Sequence, residues 1–318
     1  MWLDVLDRQK LVETAYQRGE ELNLSNQSYL NWLDAFFSKE FQDDVKDGDI
    51  TSNAVLAKNV PRKAFLKTKA TGIIAGVEEV RWFLRKHSLD VKVYKKDGTL
   101  VTKGEPVLEI HGNQKDILAT ERTALNVLQR MSGIATETKR LTDSLNGYST
   151  RIAATRKTLL RYLDKKAVFL GGGLTHRFGL WDSILIKDNH LETIKSEGIT
   201  DYIEAALSRA SLYADKVGFV EVEVTSHEEA LRAATKIKLL QLKTPCVVML
   251  DNMKPAEIKS TLKTLRENNL YDSVLFEASG DITPKNLAEY AKTGIDVVSL
   301  GYLTHSAKVL DLSLEMKI

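Results

Sequence analysis

Cysteine is almost absent from this chain, and proline and glycine are sparse. Cys246 is the single cysteine, so no disulfide can form within the chain, and a reducing compartment is expected. Five prolines and 18 glycines among 318 residues exclude collagen-like and low-complexity proteins. We therefore expect folding around a hydrophobic core, for which a 43% hydrophobic composition is sufficient.

Long apolar runs and a strong charge excess are also missing. No run approaches the roughly 18–20 residues that span a bilayer, and residues 1–4 do not begin a secretory signal. We therefore expect a cytoplasmic protein with no membrane partner. The 45 basic and 43 acidic residues leave a net charge of +2, which argues against a dedicated nucleic-acid-binding protein. The sequence also has no Walker-type phosphate loop, dinucleotide fingerprint or Cys/His metal cluster.

Hydrophobic periodicity predicts helices over the first forty residues. Alternating apolar residues between about 60 and 110, around a predicted helix at 77–87, indicate a small α/β domain with a largely antiparallel sheet. A longer helix that carries Arg122 follows. Beyond residue 150, short apolar runs recur at intervals of roughly 20 to 40 residues, which predicts βα units and a parallel sheet, either rolled into a barrel or left open. The runs are 151–154, 183–186, 217–224, 246–250, 273–276 and 296–300.

Polar residues follow these runs, at the end where parallel-sheet enzymes place their chemistry. The cationic members are Arg156, Lys157, His176, Arg177 and Lys187, and the acidic members are Glu223 and Asp251. Crowded cations need a counter-charge, so we infer an anionic ligand held by arginine forks and lysine point charges. Taken singly, the lysines could be solvated strand ends, and the His176–Arg177 pair could simply follow a tight turn.

Glycines after the last two runs suggest a phosphate cradle. Ser279, Gly280 and Gly301 offer backbone N–H groups to a closely approaching anion, and we expect a helix to begin just after each glycine. The expected ligand therefore carries several negative charges, of which at least one is a phosphate.

From about residue 43 to the C-terminus, the order of these motifs resembles the quinolinate phosphoribosyltransferase family. The resemblance is carried by 48–51 (GDIT), 121–126 (ERTALN), 132–136 (SGIAT), 155–158 (TRKT), 171–173 (GGG) followed by His176 and Arg177, 187–190 (KDNH), 221–224 (EVEV), 250–252 (LDN) and 303–306 (LTHS).

This resemblance implies an α/β fold of two domains. Residues 1–130 would form an α/β sandwich with a helical extension over about 1–42, residues 131–304 an incomplete barrel of six to seven strands, and residues 305–318 a segment that returns to the sandwich. It also implies a homodimer with shared active sites, with hexamers as a further option.

The resemblance further implies transfer of a phosphoribosyl group from phosphoribosyl pyrophosphate to quinolinate, with Mg²⁺ as cofactor and loss of CO₂, in NAD biosynthesis. The substrate-binding residues would be Arg122 of the partner subunit, Thr155, Arg156, His176, Arg177 and Lys187 for the acid, and Ser279, Gly280 and Gly301 for the 5′-phosphate. Lys157, Glu223 and Asp251 would be catalytic, and the two carboxylates would hold Mg²⁺ indirectly through pyrophosphate.

The chain departs from the family pattern at Ala154, where the family commonly has aspartate, in a shorter loop after Thr158, and at Asp281 after Gly280. Three alternatives therefore accompany this reading. The first is a related protein of the same fold that acts on, or only binds, a different anionic ring. The second is a Schiff-base aldolase that uses Lys187 or Lys157 as the nucleophile, and the third is a non-catalytic anion sensor.

Overall fold

The computed structural model describes residues 5–317, which form two compact units. The barrel unit comprises residues 5–18, Leu141–Leu159 and Gly173–His305. The antiparallel unit comprises Gly19–Arg140, Leu160–Gly172 and residues 306–317. No helix among residues 5–317 is both long enough and apolar enough to cross a bilayer.

The helices predicted over the first forty residues and at 77–87 are confirmed within residues 5–317, and residues 1–4 of the first prediction lie outside the described residues. The α-helices are α1 (Val5–Tyr16), α2 (Gln27–Val45), α3 (Ile50–Val55), α4 (Val77–Lys86), α5 (Gln114–Ser144), α6 (Arg161–Leu170), α7 (Asp188–Ser196), α8 (Tyr202–Ser211), α9 (His227–Leu240), α10 (Pro255–Glu267), α11 (Leu287–Ala291) and α12 (Tyr302–His305).

Each of the six predicted runs beyond residue 150 contains or overlaps a strand. The strands are β1 (Pro61–Thr68), β2 (Gly72–Ile73), β3 (Asp90–Val93), β4 (Leu100–Val101), β5 (Pro106–Asn113), β6 (Arg151–Ala153), β7 (Ile184–Ile186), β8 (Val220–Val224), β9 (Cys246–Asp251), β10 (Leu275–Ser279), β11 (Val297–Ser299) and β12 (Leu312–Lys317).

The antiparallel unit contains a four-stranded sheet in the order β12-β1-β5-β3, as the alternating pattern predicted. Ala64, Leu66 and Thr68 alternate along β1 and are buried, because successive strand residues point to opposite faces. The C-terminal strand β12 pairs with β1, so the end of the chain belongs to this sheet.

The barrel unit contains a six-stranded parallel sheet in the order β6-β11-β10-β9-β8-β7. The first strand, β6, pairs with the last, β11, rather than with its neighbour in sequence, β7. The sheet is therefore a barrel that is open between β6 and β7, which confirms the predicted incomplete barrel. Leu174 forms a parallel bridge with Ala153 on the free edge of β6.

Helix α1 packs against the amino-terminal ends of the barrel strands. Val12, Ala15 and Tyr16 lie in one buried cluster with residues that include Leu275 and Val297, the first residues of β10 and β11. The resemblance assigned the whole helical extension to the sandwich, whereas α1 belongs to the barrel unit and α2 to the antiparallel unit. The apolar stripe of α1 explains this division, because α1 buries that stripe against the ends of the barrel strands.

A buried ion pair joins α1 to the barrel. Arg8 Nε and Nη2 donate to the two carboxylate oxygens of Asp296 at 2.6 Å each, and Nη2 also donates to the Val274 carbonyl at 2.9 Å. Burial opposes the charge on Arg8, but Asp296 outweighs it and raises the pKa of the guanidinium. Since Asp296 also accepts from the Phe276 backbone N–H at 2.8 Å, it fixes the starts of β10 and β11 to the helix.

Replacing Arg8 with methionine is expected to lower the free energy of unfolding by about 3 kcal/mol, because the change leaves a buried carboxylate without its counter-charge. Urea unfolding followed by circular dichroism measures the change. The control is Lys10→Met, which removes an exposed cation from the same helix. It is expected to change the free energy of unfolding by less than about 0.5 kcal/mol. Equal stability of the two variants would contradict the structural role of this ion pair.

Candidate active site

A cavity of about 700 Å³ lies at the carboxyl-terminal ends of the barrel strands. Eleven of the twelve predicted site residues line it: Thr155, Arg156, Lys157, His176, Arg177, Lys187, Glu223, Asp251, Ser279, Gly280 and Gly301. These residues come from seven separate segments of the chain, and the parallel strands bring them together because all the strands end at the same edge. The roles that the resemblance assigns to them stay predictions.

Cations occupy one part of the cavity wall. Arg156 and Lys157 follow the end of β6 after two intervening residues and are exposed, whereas Arg177 is buried in the loop before β7. Burial and the neighbouring charge of Arg156 lower the pKa of the Arg177 guanidinium. Arg177 Nη1 donates to the Ser183 carbonyl at 3.1 Å, which fixes the direction of its side chain. An anion placed here would relieve the repulsion between these cations.

The acidic part of the wall carries its own counter-ion. Lys187 Nζ lies 3.3 Å from Glu223 Oε2. Burial raises the pKa of Glu223, the charge of Asp251 raises it further, and Lys187 opposes both. The two carboxylates are therefore close enough to repel one another, which favours a ligand that brings positive charge between them.

Ser279 and Gly280 end β10 in a sharp turn. Gly280 has φ +94°, and a Cβ there would collide with the side-chain oxygen of Asn252. The expectation that a helix begins just after each glycine holds at Gly301, which α12 follows directly, but it is wrong at Gly280. Helix α11 begins only at Leu287, because residues 281–286 form bends and turns.

Loop contacts tie the first and last strand ends together around the cavity. Thr304 Oγ1 donates to the Lys157 carbonyl at 2.7 Å, and a Cβ on Gly301 would lie 3.1 Å from Lys157 Cδ. His305 also lines the cavity, as do Asn252 and Glu277, and the sequence analysis assigned a site role to none of the three. His305 lies in the LTHS motif, which was the signal that could have identified it.

Beneath the cavity, His176 meets two buried carboxylates. Its Nε2 lies 3.4 Å from Glu277 Oε2 and 3.6 Å from Glu221 Oε2, and both glutamate side chains are 0% exposed. Burial and the charge of Glu277 raise the pKa of Glu221 well above its usual value. For Glu277 burial acts in the same direction, but His176, Ser299 and Tyr16 outweigh it and hold its pKa below the usual value. This layer connects the floor of the cavity to α1.

Arg122 is the one predicted site residue that does not line the barrel cavity. It is an exposed residue of α5 in the antiparallel unit. There it borders a separate cavity of about 440 Å³, together with Glu40, Asp43, Asn126 and Arg130. Its role in binding the acid, supplied by a partner subunit, stays a prediction.

The fold and the cavity together define an α/β-barrel protein with a cavity lined by charged residues at the carboxyl-terminal ends of its strands. The family model for the C-terminal domain of quinolinate phosphoribosyl transferase matches residues 134–315, and the model for the N-terminal domain matches residues 49–132. The chain belongs to the quinolinate phosphoribosyl transferase family.

Similar proteins agree with this assignment. A protein of Methanothermobacter thermautotrophicus named "Probable nicotinate-nucleotide pyrophosphorylase (carboxylating)" is 41% identical over 278 residues, which is 86% of this chain and 95% of that protein. A protein of Mycobacterium leprae named "Nicotinate-nucleotide pyrophosphorylase (carboxylating)" is 33% identical over 286 residues, which is 87% of this chain and 95% of that protein. The solved structure of nicotinate-nucleotide pyrophosphorylase from Francisella tularensis matches with a TM-score of 0.76 at 33% identity, covering 90% of this chain and 96% of that one.

Asp281 is an exposed carboxylate on the wall of the cavity, directly after Gly280. Its φ of +48° lies in the left-handed region, where asparagine is also tolerated. The change Asp281→Asn therefore keeps the backbone and removes one negative charge from the predicted phosphate loop.

We expect Asp281→Asn to tighten the binding of ribose 5-phosphate by about 1 kcal/mol, a factor of about five, with a gain that shrinks as salt is added. Isothermal titration calorimetry measures this affinity. Asp215→Asn removes the same charge just before β8, at the opposite end of the barrel, and is expected to have no effect. Equal affinities for both variants and the unmodified protein would show that Asp281 does not act on the ligand.

Proposed function

We propose that this chain transfers the phosphoribosyl group of phosphoribosyl pyrophosphate to quinolinate, giving nicotinate mononucleotide, pyrophosphate and CO₂ in the cytoplasmic synthesis of NAD. One observation carries the proposal: a cationic wall, an acidic pair and a glycine turn meet in one cavity of a chain that belongs to this family. A phosphorylated sugar and a dicarboxylic acid together need these three kinds of group.

The cationic wall would bind the acid. Arg156 and Arg177 supply planar guanidinium groups that match carboxylates, and Lys187 supplies a point charge. His176 borders the same part of the cavity, and Lys157 lies between this wall and Gly301. The fixed direction of Arg177 means that little side-chain freedom is lost when the dianion binds.

Glu223 and Asp251 would act on the sugar. As pyrophosphate leaves, positive charge develops on the ribose, and two preorganised carboxylates stabilise that charge without a nucleophilic side chain. Their oxygens also suit Mg²⁺, a hard cation that binds carboxylates and phosphates. When bound with pyrophosphate, Mg²⁺ would supply charge neutralisation to the leaving group.

Decarboxylation would follow transfer, because the ring nitrogen is then quaternary. The electron pair of the broken carbon–carboxylate bond stays on the adjacent ring carbon, where the positive nitrogen stabilises it, and a proton from solvent takes the place of CO₂. The role of the protein is to hold the quinolinate ring while its carboxylate loses charge.

The test of this function is product formation. Purified protein with quinolinate, phosphoribosyl pyrophosphate and Mg²⁺ is expected to give nicotinate mononucleotide, detected by mass spectrometry against a reaction without protein. Folded protein that binds quinolinate but yields no product would overturn the proposal in favour of a relative that only binds the acid.

The double variant Glu223→Gln, Asp251→Asn is expected to lower kcat by at least about 100-fold, because the stabilisation of charge on the sugar is lost. Quinolinate affinity, measured by calorimetry, is expected to stay within about three-fold, because the cationic wall is untouched. The exposed Glu192→Gln, which removes one negative charge from a residue that does not line the cavity, serves as a control with unchanged kcat. A double variant that loses affinity but keeps its kcat would reverse the assigned roles.

We further propose a homodimer in which Arg122 of one subunit completes the site of the other. The support is that Arg122 belongs to the ERTALN motif and is exposed on α5 of the antiparallel unit.

Mixing inactive Arg122→Ala protein with inactive Glu223→Ala protein is expected to restore about a quarter of the activity of the unmodified protein. Half of the exchanged dimers are mixed, and each mixed dimer has one intact site. Activity is measured after subunit exchange has been verified with differently tagged chains. Complete exchange with no recovered activity would place Arg122 outside the site.

A further inference from the structure

Helix α1 lies outside both family-model matches, which begin at residue 49, yet it is built into the barrel. Its last residue, Tyr16, is 0% exposed. The residues that follow also hold the loop that carries His176 and Arg177. Gln17 Nε2 donates to the Gly173 carbonyl at 3.2 Å, and the Arg18 backbone N–H donates to Thr175 Oγ1 at 2.9 Å.

The carbonyl of Tyr16 fixes the backbone of this loop. It accepts from the His176 backbone N–H at 3.0 Å and from Thr175 Oγ1 at 2.9 Å. His176 has φ +55°, a left-handed conformation that is unfavourable for a residue with a side chain. The Tyr16 carbonyl accepts one hydrogen bond from this strained residue and one from its neighbour Thr175, and it thereby holds the loop at the cavity wall.

The ring of Tyr16 fixes the imidazole. It meets His176 edge-on, with ring centroids 5.1 Å apart at 83°, and stacks on Phe219 at 5.2 Å. His176 Nδ1 accepts from the Arg177 backbone N–H at 2.7 Å, so its ring proton is on Nε2, which faces Glu277 and Glu221. One side of the imidazole is thereby held by the loop, another by an aromatic ring, and the third by carboxylates.

His176, Glu221 and Glu277 resemble a metal site, because ligand atoms of these three side chains lie within 4.8 Å of one another. The hydrogen bond that His176 Nδ1 accepts argues against a bound metal. A metal at Nε2 would require the proton to move to Nδ1, where the Arg177 N–H already donates. The cluster is therefore better described as a support for His176.

We propose that Tyr16 is a positioning residue for the acid-binding wall, acting through His176 and Arg177, so that the N-terminal helix is part of the quinolinate site. The inference rests on the proposed function for the identity of the acid. The coupling between Tyr16 and His176 rests on the structure alone.

Three variants separate positioning from general packing. Tyr16→Leu removes the ring, Tyr16→Phe keeps the ring, and Val12→Ala damages the same buried helix one turn earlier without touching a polar group. We expect Tyr16→Leu to raise the KM for quinolinate on the order of 10-fold, with a much smaller change in the KM for phosphoribosyl pyrophosphate. Tyr16→Phe is expected to restore the KM to within about three-fold, since the edge contact returns.

Val12→Ala is the matched control. It is expected to lower Tm as Tyr16→Leu does, but to leave both KM values near those of the unmodified protein. If Val12→Ala raises the KM for quinolinate as much as Tyr16→Leu does, the effect is loss of packing, and the proposal is wrong.

A readout without turnover separates this proposal from the proposed function. Nitrogen-15 histidine NMR, with His176 assigned from a His176→Gln variant, is expected to show one Nε2–H tautomer in the unmodified protein and in Val12→Ala. In Tyr16→Leu we expect tautomer exchange or a shifted signal. If the unmodified protein forms no product, the proposed function fails while the spectra still test the coupling. An unchanged His176 signal in Tyr16→Leu overturns the positioning role whatever the turnover.

Discussion

The pairing of the first barrel strand with the last is the constraint on which the rest of the site depends. Because β6 lies beside β11, the residues that follow β6 meet those that follow β11, and Lys157 comes within contact of Gly301. The Thr304 hydroxyl then holds the Lys157 carbonyl at 2.7 Å. An open sheet with the strands in sequence order would place these two segments at opposite ends and would leave no enclosed cavity.

Electrostatics shape the cavity once the strands are in place. The cations near Arg156 repel one another, and burial together with the charge of Arg156 lowers the pKa of Arg177, while Glu223 and Asp251 repel on the other side. Each cluster is unfavourable without an opposite charge, and a ligand with separate anionic and developing cationic parts satisfies both. The charges that destabilise the empty site are therefore the charges that it would use in the reaction.

Support for the site extends below the cavity to the amino-terminal end of the barrel. Tyr16 reaches the layer of His176, Glu221 and Glu277 from beneath, and Arg8 anchors the same helix through Asp296. The barrel is thus filled from one end by α1 and open to ligand at the other. A helix outside the family models can influence the cavity because packed barrel interiors transmit small displacements.

The sequence by itself determined the secondary structure and the order of the strand-end residues, because apolar periodicity and local motifs act over a few neighbouring residues. It therefore predicted β6 to β11 and eleven of the residues that line the cavity, but it assigned no site role to Asn252, Glu277 or His305. The sequence did not predict Tyr16 beneath His176, or the delayed helix after Gly280. Those features depend on contacts such as that of Tyr16 with a loop about 160 residues away, which only closure of the barrel creates.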